Sequence, residues 1–151
     1  MKLKKNEQQG ISFDKIIFEK INFEANPEFK HENINNGLDV DISLNAVAKI
    51  DESLNLLVLE LETSVFKNTK NRPFYIFIKA IGFFSVKNKD DVSIFEEFSK
   101  VNAPAIIFPF VRETIADLTL KAGFSPLLLP PINIRALVAR ENKKKPVKKS
   151  R

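Results

Sequence analysis

Few residues in this chain are of types that support chemistry. Carboxylates pair at Asp90-Asp91 and Glu96-Glu97, one strand-like run carries Glu60 and Glu62, and there is a single histidine, His31. Adjacent carboxylates are the raw material for general acid–base catalysis or a hard-metal site, and histidine is the usual proton carrier near neutral pH. Neither is set up here. Asp90-Asp91 and Glu96-Glu97 fall at helix-start or solvent-facing positions, where attraction to the helix dipole accounts for them. His31 stands alone in a polar Asn-rich stretch. There is no second histidine for a metal pair and no cysteine for a thiolate or a zinc site, and the four glycines form no phosphate loop. No serine is set up with a base. These observations predict no catalytic residue, no metal and no cofactor.

Charge is distributed unevenly. Residues 140–151 hold seven basic side chains and one acid, Glu141, so removing their +6 from the chain's +5 leaves about −1 for residues 1–139. The expected organisation is one folded domain, 1–141, and a disordered basic tail, 142–151, in which like charges repel and nothing apolar anchors the chain. Such a tail raises the alternative of a nucleic-acid or anionic-surface module, since clustered cations attract phosphates without reading sequence. The rest of the chain shows no basic stripe with interleaved aromatics, so a solubilising tail is the preferred reading. The first ten residues lack an apolar signal core. No apolar run reaches about 18 residues, so no membrane insertion is expected. The expectation is a soluble cytoplasmic protein.

The elements that position these residues follow from periodicity. Ile11 to Glu24 alternates, then changes phase between Phe18 and Ile21, the signature of a β-bulge. Ala25 to Gly37 reads as a crossover loop with Phe29 and Ile34 as its apolar anchors. Leu38 to Ile50 alternates as a half-buried strand, and Leu54 to Lys67 as a third strand. Phe74 to Val86 is apolar on both faces, which requires cover on both sides. One cover is the domain's own helices; the other is a second subunit or an extended apolar ligand. A short helix is predicted from Asp90 to Lys100, with Ile94, Phe95 and Phe98 on its apolar side. Strands followed by helices indicate an α+β fold with a four-stranded antiparallel sheet, a long kinked helix and a short C-terminal helix.

The long helix is predicted to begin at an Asn102 cap, carry Pro104 in its first turn and stop at Gly123. Ile107, Val111, Ile115 and Leu118 form its apolar face, and Pro109 inside it predicts a kink. Beyond the stop, Phe124 to Ile134 carries Phe, three consecutive Leu and two Ile, interrupted by Pro126, Pro130 and Pro131. This is too apolar for a solvated loop and too rich in proline for a strand. It must lie against its own core or a partner chain. A last helix is predicted from about Asn133 to Glu141.

This region resembles the SecB family of protein-export chaperones. The matching residues are Pro104, Ile106, Phe108-Pro109-Phe110, Arg112-Glu113, Ile115, Phe124, Leu127, Leu129, Pro131-Ile132-Asn133 and Ala136-Leu137. Upstream, Phe13 to Glu24 is similar to the family's first strand and Phe83-Phe84-Ser85-Val86 to the end of its fourth. The resemblance implies a SecB-like fold and a function in protein transport: unfolded precursor polypeptides are held in an export-competent state in apolar grooves. The implied client-binding positions are Phe29, Ile34, Phe124, Leu127, Leu129, Ile132, Ile134 and Leu137. A homotetramer built as a dimer of dimers is also implied, with Ile107, Val111, Ile115 and Leu118 serving either the subunit contact or the protomer's own sheet. Family members that deliver to the SecA ATPase are typically acidic; here Glu60 and Glu62 are the acidic pair available to SecA. Divergent SecB-like proteins instead chaperone the antitoxin of a toxin–antitoxin system, and that role is the alternative for this chain.

Overall fold

In the computed structural model, which describes residues 10–30, 39–131, 133, 134 and 136, the alternating segments form four strands. These are β1 (Ile11–Ala25), β2 (Ile42–Asp51), β3 (Leu56–Val65) and β4 (Phe74–Val86). They make one antiparallel sheet in the order β1-β4-β3-β2. The short helix α1 (Ile94–Phe98) and the long helix α2 (Asn102–Lys121) follow. All strands precede the helices, as expected for the α+β class.

The register of β1 against β4 shifts twice, between Phe13 and Lys15 and again between Phe18 and Lys20. The second shift is the phase change visible in the sequence; the first was not visible there. Each inserts one residue and restores the apolar side chains to the inner face: Ile16 and Phe18 lie beside Gly82 and Ala80, and Ile21 and Phe23 beside Ile78 and Ile76. The β2 strand is shorter than its alternation. Asp41 ends it, because its carbonyl accepts the Phe66 N–H and its carboxylate the Asn68 N–H, which makes it a turn residue. Only Leu44 of this strand is buried; Ala46, Ala48 and Ile50 are exposed, since the strand lies at the edge of the sheet. The expected half-buried strand is therefore covered over its first half alone.

The inner face of the sheet is the core. Leu57, Leu59, Leu61 and Val65 of β3 and Ile76, Ile78, Ala80 and Phe84 of β4 are almost wholly excluded from water. On the outer face of β4, Tyr75, Phe77, Ile81 and Phe83 are half-buried. Long side chains of the same protomer shield part of it. The Arg72 guanidinium lies 4.6 Å from the Tyr75 ring centre and the Lys20 ammonium 5.5 Å from that of Phe77. A second subunit or an extended apolar ligand remains the expected cover for the rest of this face.

Residues 89–93 form a 3₁₀ turn leading into α1, so the helix predicted from Asp90 is one α turn with a tighter entry. Phe95 is its buried anchor. The cap expected at Asn102 is not formed: Val101 occupies that position, with no side-chain capping bond. Pro104 has no N–H to offer a cap, and the Ala105 N–H is already bonded to the Val101 carbonyl. Ala103, Ile107, Val111, Ile115 and Thr119, four residues apart, make the buried row of α2. The helix runs through Pro109, which is exposed. It ends in a Schellman arrangement, with Gly123 N–H bonded to the Leu120 carbonyl, Phe124 N–H to the Thr119 carbonyl, and Gly123 at φ +90°. Among the described residues no helix is long and apolar enough to cross a membrane.

The closest seat of α2 on the sheet is Ile107 against Gly82, where an added Cβ would overlap the Ile107 Cδ1 methyl. Gly82→Ala is expected to lower folding stability by about 1–3 kcal/mol, the usual result of overpacking a filled core. Equilibrium urea unfolding measures this, and an unchanged midpoint would show that α2 shifts freely on the sheet.

Candidate polypeptide-binding surface

The apolar segment after α2 is held at defined points. Buried Thr119 is the central one. Its hydroxyl donates to the Ile115 and Ala116 carbonyls at 2.9 and 3.0 Å and accepts the Leu127 N–H at 2.9 Å. Aromatic packing fixes the start of the segment: Phe124 meets Phe74 edge-on at 5.1 Å and Phe23 at 6.3 Å, and Phe74 packs against Phe23 and Phe66. Prolines 126, 130 and 131 then keep the backbone extended.

Between these anchors the three leucines face different ways. Leu129 is buried at 5% exposure, Leu127 is half-buried, and Leu128 stands out at 78%. Of the positions expected to bind clients, Phe124 and Leu127 are partly accessible, whereas Phe29, Leu129 and Ile134 are buried within the protomer. Ile34, Ile132 and Leu137 lie outside the described residues, as do His31, most of the segment predicted as the last helix and the basic tail. The Asn133 side chain accepts the Ala136 N–H at 3.1 Å, the bond of a helix cap at the position where that helix was predicted to start. The residue missed in the sequence is Leu128. It looks like its neighbours there, and only the fold separates them, with Leu127 held by the Thr119 bond and Leu129 buried in the core.

Ile107, Val111 and Ile115 are fully buried against the protomer's own sheet, and Leu118 packs on the same core. Of the two roles left open for them, the structure uses the internal one, which removes the first three from any subunit contact. The exposed apolar residues of α2 are Ile106, Phe110 and Leu120, with Phe13 of β1 beside Phe110 at 6.0 Å. Glu60 and Glu62 lie on the outer face of the sheet. Glu60 pairs with Lys49 at 3.2 Å and Lys79 at 3.7 Å. The Lys49 hydrogen bond, assisted by the charges of both lysines, holds the Glu60 carboxyl below the usual carboxylate range. Among the described residues no group of carboxylates and histidines is placed to hold a metal.

The model of a family described as preprotein translocase subunit SecB matches residues 4–145. This chain belongs to the SecB family. A protein-export protein SecB of Methylobacillus flagellatus is 35% identical over 97 residues, covering 64% of this chain and 60% of that protein. One from Rickettsia typhi is 35% identical over 100 residues, covering 66% and 64%. The chain thus spans less than two thirds of these SecB relatives. An uncharacterised protein of Methanocaldococcus jannaschii is 30% identical over 134 residues, covering 86% of this chain and 83% of that one. Among solved structures, the Mycobacterium tuberculosis SecB-like chaperone in complex with a ChAD peptide from the HigA1 antitoxin superposes with a TM-score of 0.65. It covers 81% of this chain and 90% of the other at 13% identity, which shows a shared SecB-like fold.

In this SecB-family protomer, one hydroxyl joins the end of α2 to the proline-bound strip. Thr119→Val keeps the shape and removes both the donor and the acceptor. The Leu127 N–H loses its partner, with an expected loss of about 1–3 kcal/mol. Amide exchange at Leu127 should accelerate while that of β3 and β4 stays slow; unchanged exchange at Leu127 would mean that the phenylalanines alone hold the strip.

Proposed function

We propose that this protein is a non-catalytic molecular chaperone that binds unfolded or precursor polypeptides and keeps them unaggregated and export-competent. The observation that carries the reading is the 124–131 strip. It is apolar and pinned in place, yet presents Leu128 and a minor part of Leu127 and Phe124 to solvent. An unfolded client offers scattered apolar side chains, and burying them on such a strip supplies affinity without demanding a sequence. Membership of the SecB family supports the same reading, and with it a cytoplasmic location.

A second reading within the family is a chaperone dedicated to the antitoxin of a toxin–antitoxin system. It is favoured by the outer face of the sheet, where Lys49 and Lys79 already neutralise much of Glu60, leaving a weak acidic surface for SecA. The M. tuberculosis chaperone of this fold is the precedent. The nucleic-acid alternative depends on the tail, since Lys49 and Lys79 on the sheet are committed to glutamates. The assembly we infer is a dimer of dimers that buries Phe13, Ile106 and Phe110, the exposed apolar side of α2 and β1.

Two measurements test this. Leu127→Asp with Leu128→Asp should leave the circular dichroism of the sheet unchanged while weakening suppression of client aggregation about ten- to a hundredfold. That is the effect of losing roughly one buried leucine of contact, about 1.5–3 kcal/mol. Full activity in the double variant would place client binding elsewhere. Light scattering should give the mass of four chains, and a monomer at micromolar concentration would remove the tetramer.

A further inference from the structure

The turn between β3 and β4, residues 66–73, holds more than the two strands it joins. Its first residue, Phe66, stands at φ +59°, a left-handed backbone that bulky side chains rarely adopt. Val65 lies opposite Ile76 on the inner face, so continued alternation would turn the Phe66 ring outward. The left-handed corner turns it inward instead, where it is 1% exposed and meets Phe74 edge-on at 5.3 Å. A turn that only reversed the chain would take glycine or asparagine at such a corner. Phenylalanine is strained there, and the surroundings must hold it.

Three bonds do so. The Phe66 N–H donates to the Asp41 carbonyl at 2.7 Å, the Asn68 N–H to the Asp41 carboxylate at 2.9 Å, and the Arg72 guanidinium to the Phe66 carbonyl at 2.8 Å. The same turn grips the other end of the connection between β1 and β2. There the Asn26 N–H donates to the Pro73 carbonyl at 2.8 Å and the Asn26 side-chain amide to the Arg72 carbonyl at 3.0 Å. Phe74 completes the circuit. Besides Phe66 it packs on Phe23, near the end of β1, and on Phe124, at the start of the proline-bound strip. The base of the β1–β2 crossover and the root of the strip therefore share one aromatic stack, with Phe66 beneath it.

We propose that the 66–73 turn is a clasp that positions the client surface: Phe66, held left-handed by Asp41 and Arg72, sets the seat of Phe124 through Phe74, so that the crossover and the strip move as one unit. Phe66 is a positioning residue, since it acts on clients through Phe74 and Phe124. The proposal rests on the chaperone reading of the strip.

The test uses the full chain and a fluorescent unfolded probe, reduced and carbamidomethylated lysozyme, followed by anisotropy. Asp41→Ala should weaken probe binding by about three- to tenfold, what one hydrogen bond is worth if its loss is passed on to the strip. Amide exchange at Phe124 and Leu127 should accelerate in this variant while the middle of β3 and β4 stays slow. Asp41→Asn keeps an acceptor for the Asn68 N–H and should restore both properties. Phe66→Gly relaxes the backbone corner but removes the ring, and it should loosen Phe124 as well. Leu128→Asp should cost less affinity in Asp41→Ala than in the wild type, because a strip without its seat presents Leu128 poorly. Unchanged binding and strip exchange in both Asp41→Ala and Phe66→Gly would overturn the clasp and leave the chaperone reading in place. So would additive losses in the double variant, or exchange that rises equally in the strip, β3 and β4, which would assign the turn to folding alone. A wild-type protein that does not bind the probe removes the chaperone reading and the clasp with it.

Discussion

The packing of one row of α2 on the inner face of the sheet is the constraint on which the remaining structure depends. Ala103, Ile107, Val111, Ile115 and Thr119 recur every fourth residue, and Gly82 lets the helix approach β4 so closely that Ile107 fills the place of a side chain. Once the helix is seated, its C-terminus is fixed in space. Thr119 is the last member of the buried row, and the strip begins from it. Core packing and the apolar strip are therefore one continuous arrangement, and a disturbance beneath α2 reaches the strip through Thr119 and the Phe124 ring contacts.

Much of this was legible in the sequence, for definite reasons. The β4 strand matched its predicted span, Phe74 to Val86, because a segment apolar on both faces has no competing reading. Gly123 was readable because a left-handed residue is needed to close the helix. Asn102 was misread as a cap because the sequence does not show that the Ala105 N–H, the donor left beside Pro104, bonds to the Val101 carbonyl. The β2 strand looked longer than it is because Asp41 continues the alternation while its backbone and carboxylate serve the next turn.

The surface was harder to read than the fold. A threonine on a helix is an ordinary residue in any pattern; what marks Thr119 is that it occupies a position on the buried row, where an aliphatic residue would pack as well. Its hydroxyl is retained for the strip. Leucines 127, 128 and 129 are indistinguishable until that bond orients them. Arg112 was legible only as part of the family motif.

The three prolines of the strip have a consequence beyond holding it extended. A surface that gathers unfolded chains raises their local concentration, and an extended apolar segment with free N–H groups would be a template on which those chains could stack as strands. Positions 126, 130 and 131 have no N–H to give, so no continuous ladder of backbone bonds can form along the strip. The prolines that hold the apolar segment extended thus also interrupt it as a template for added strands.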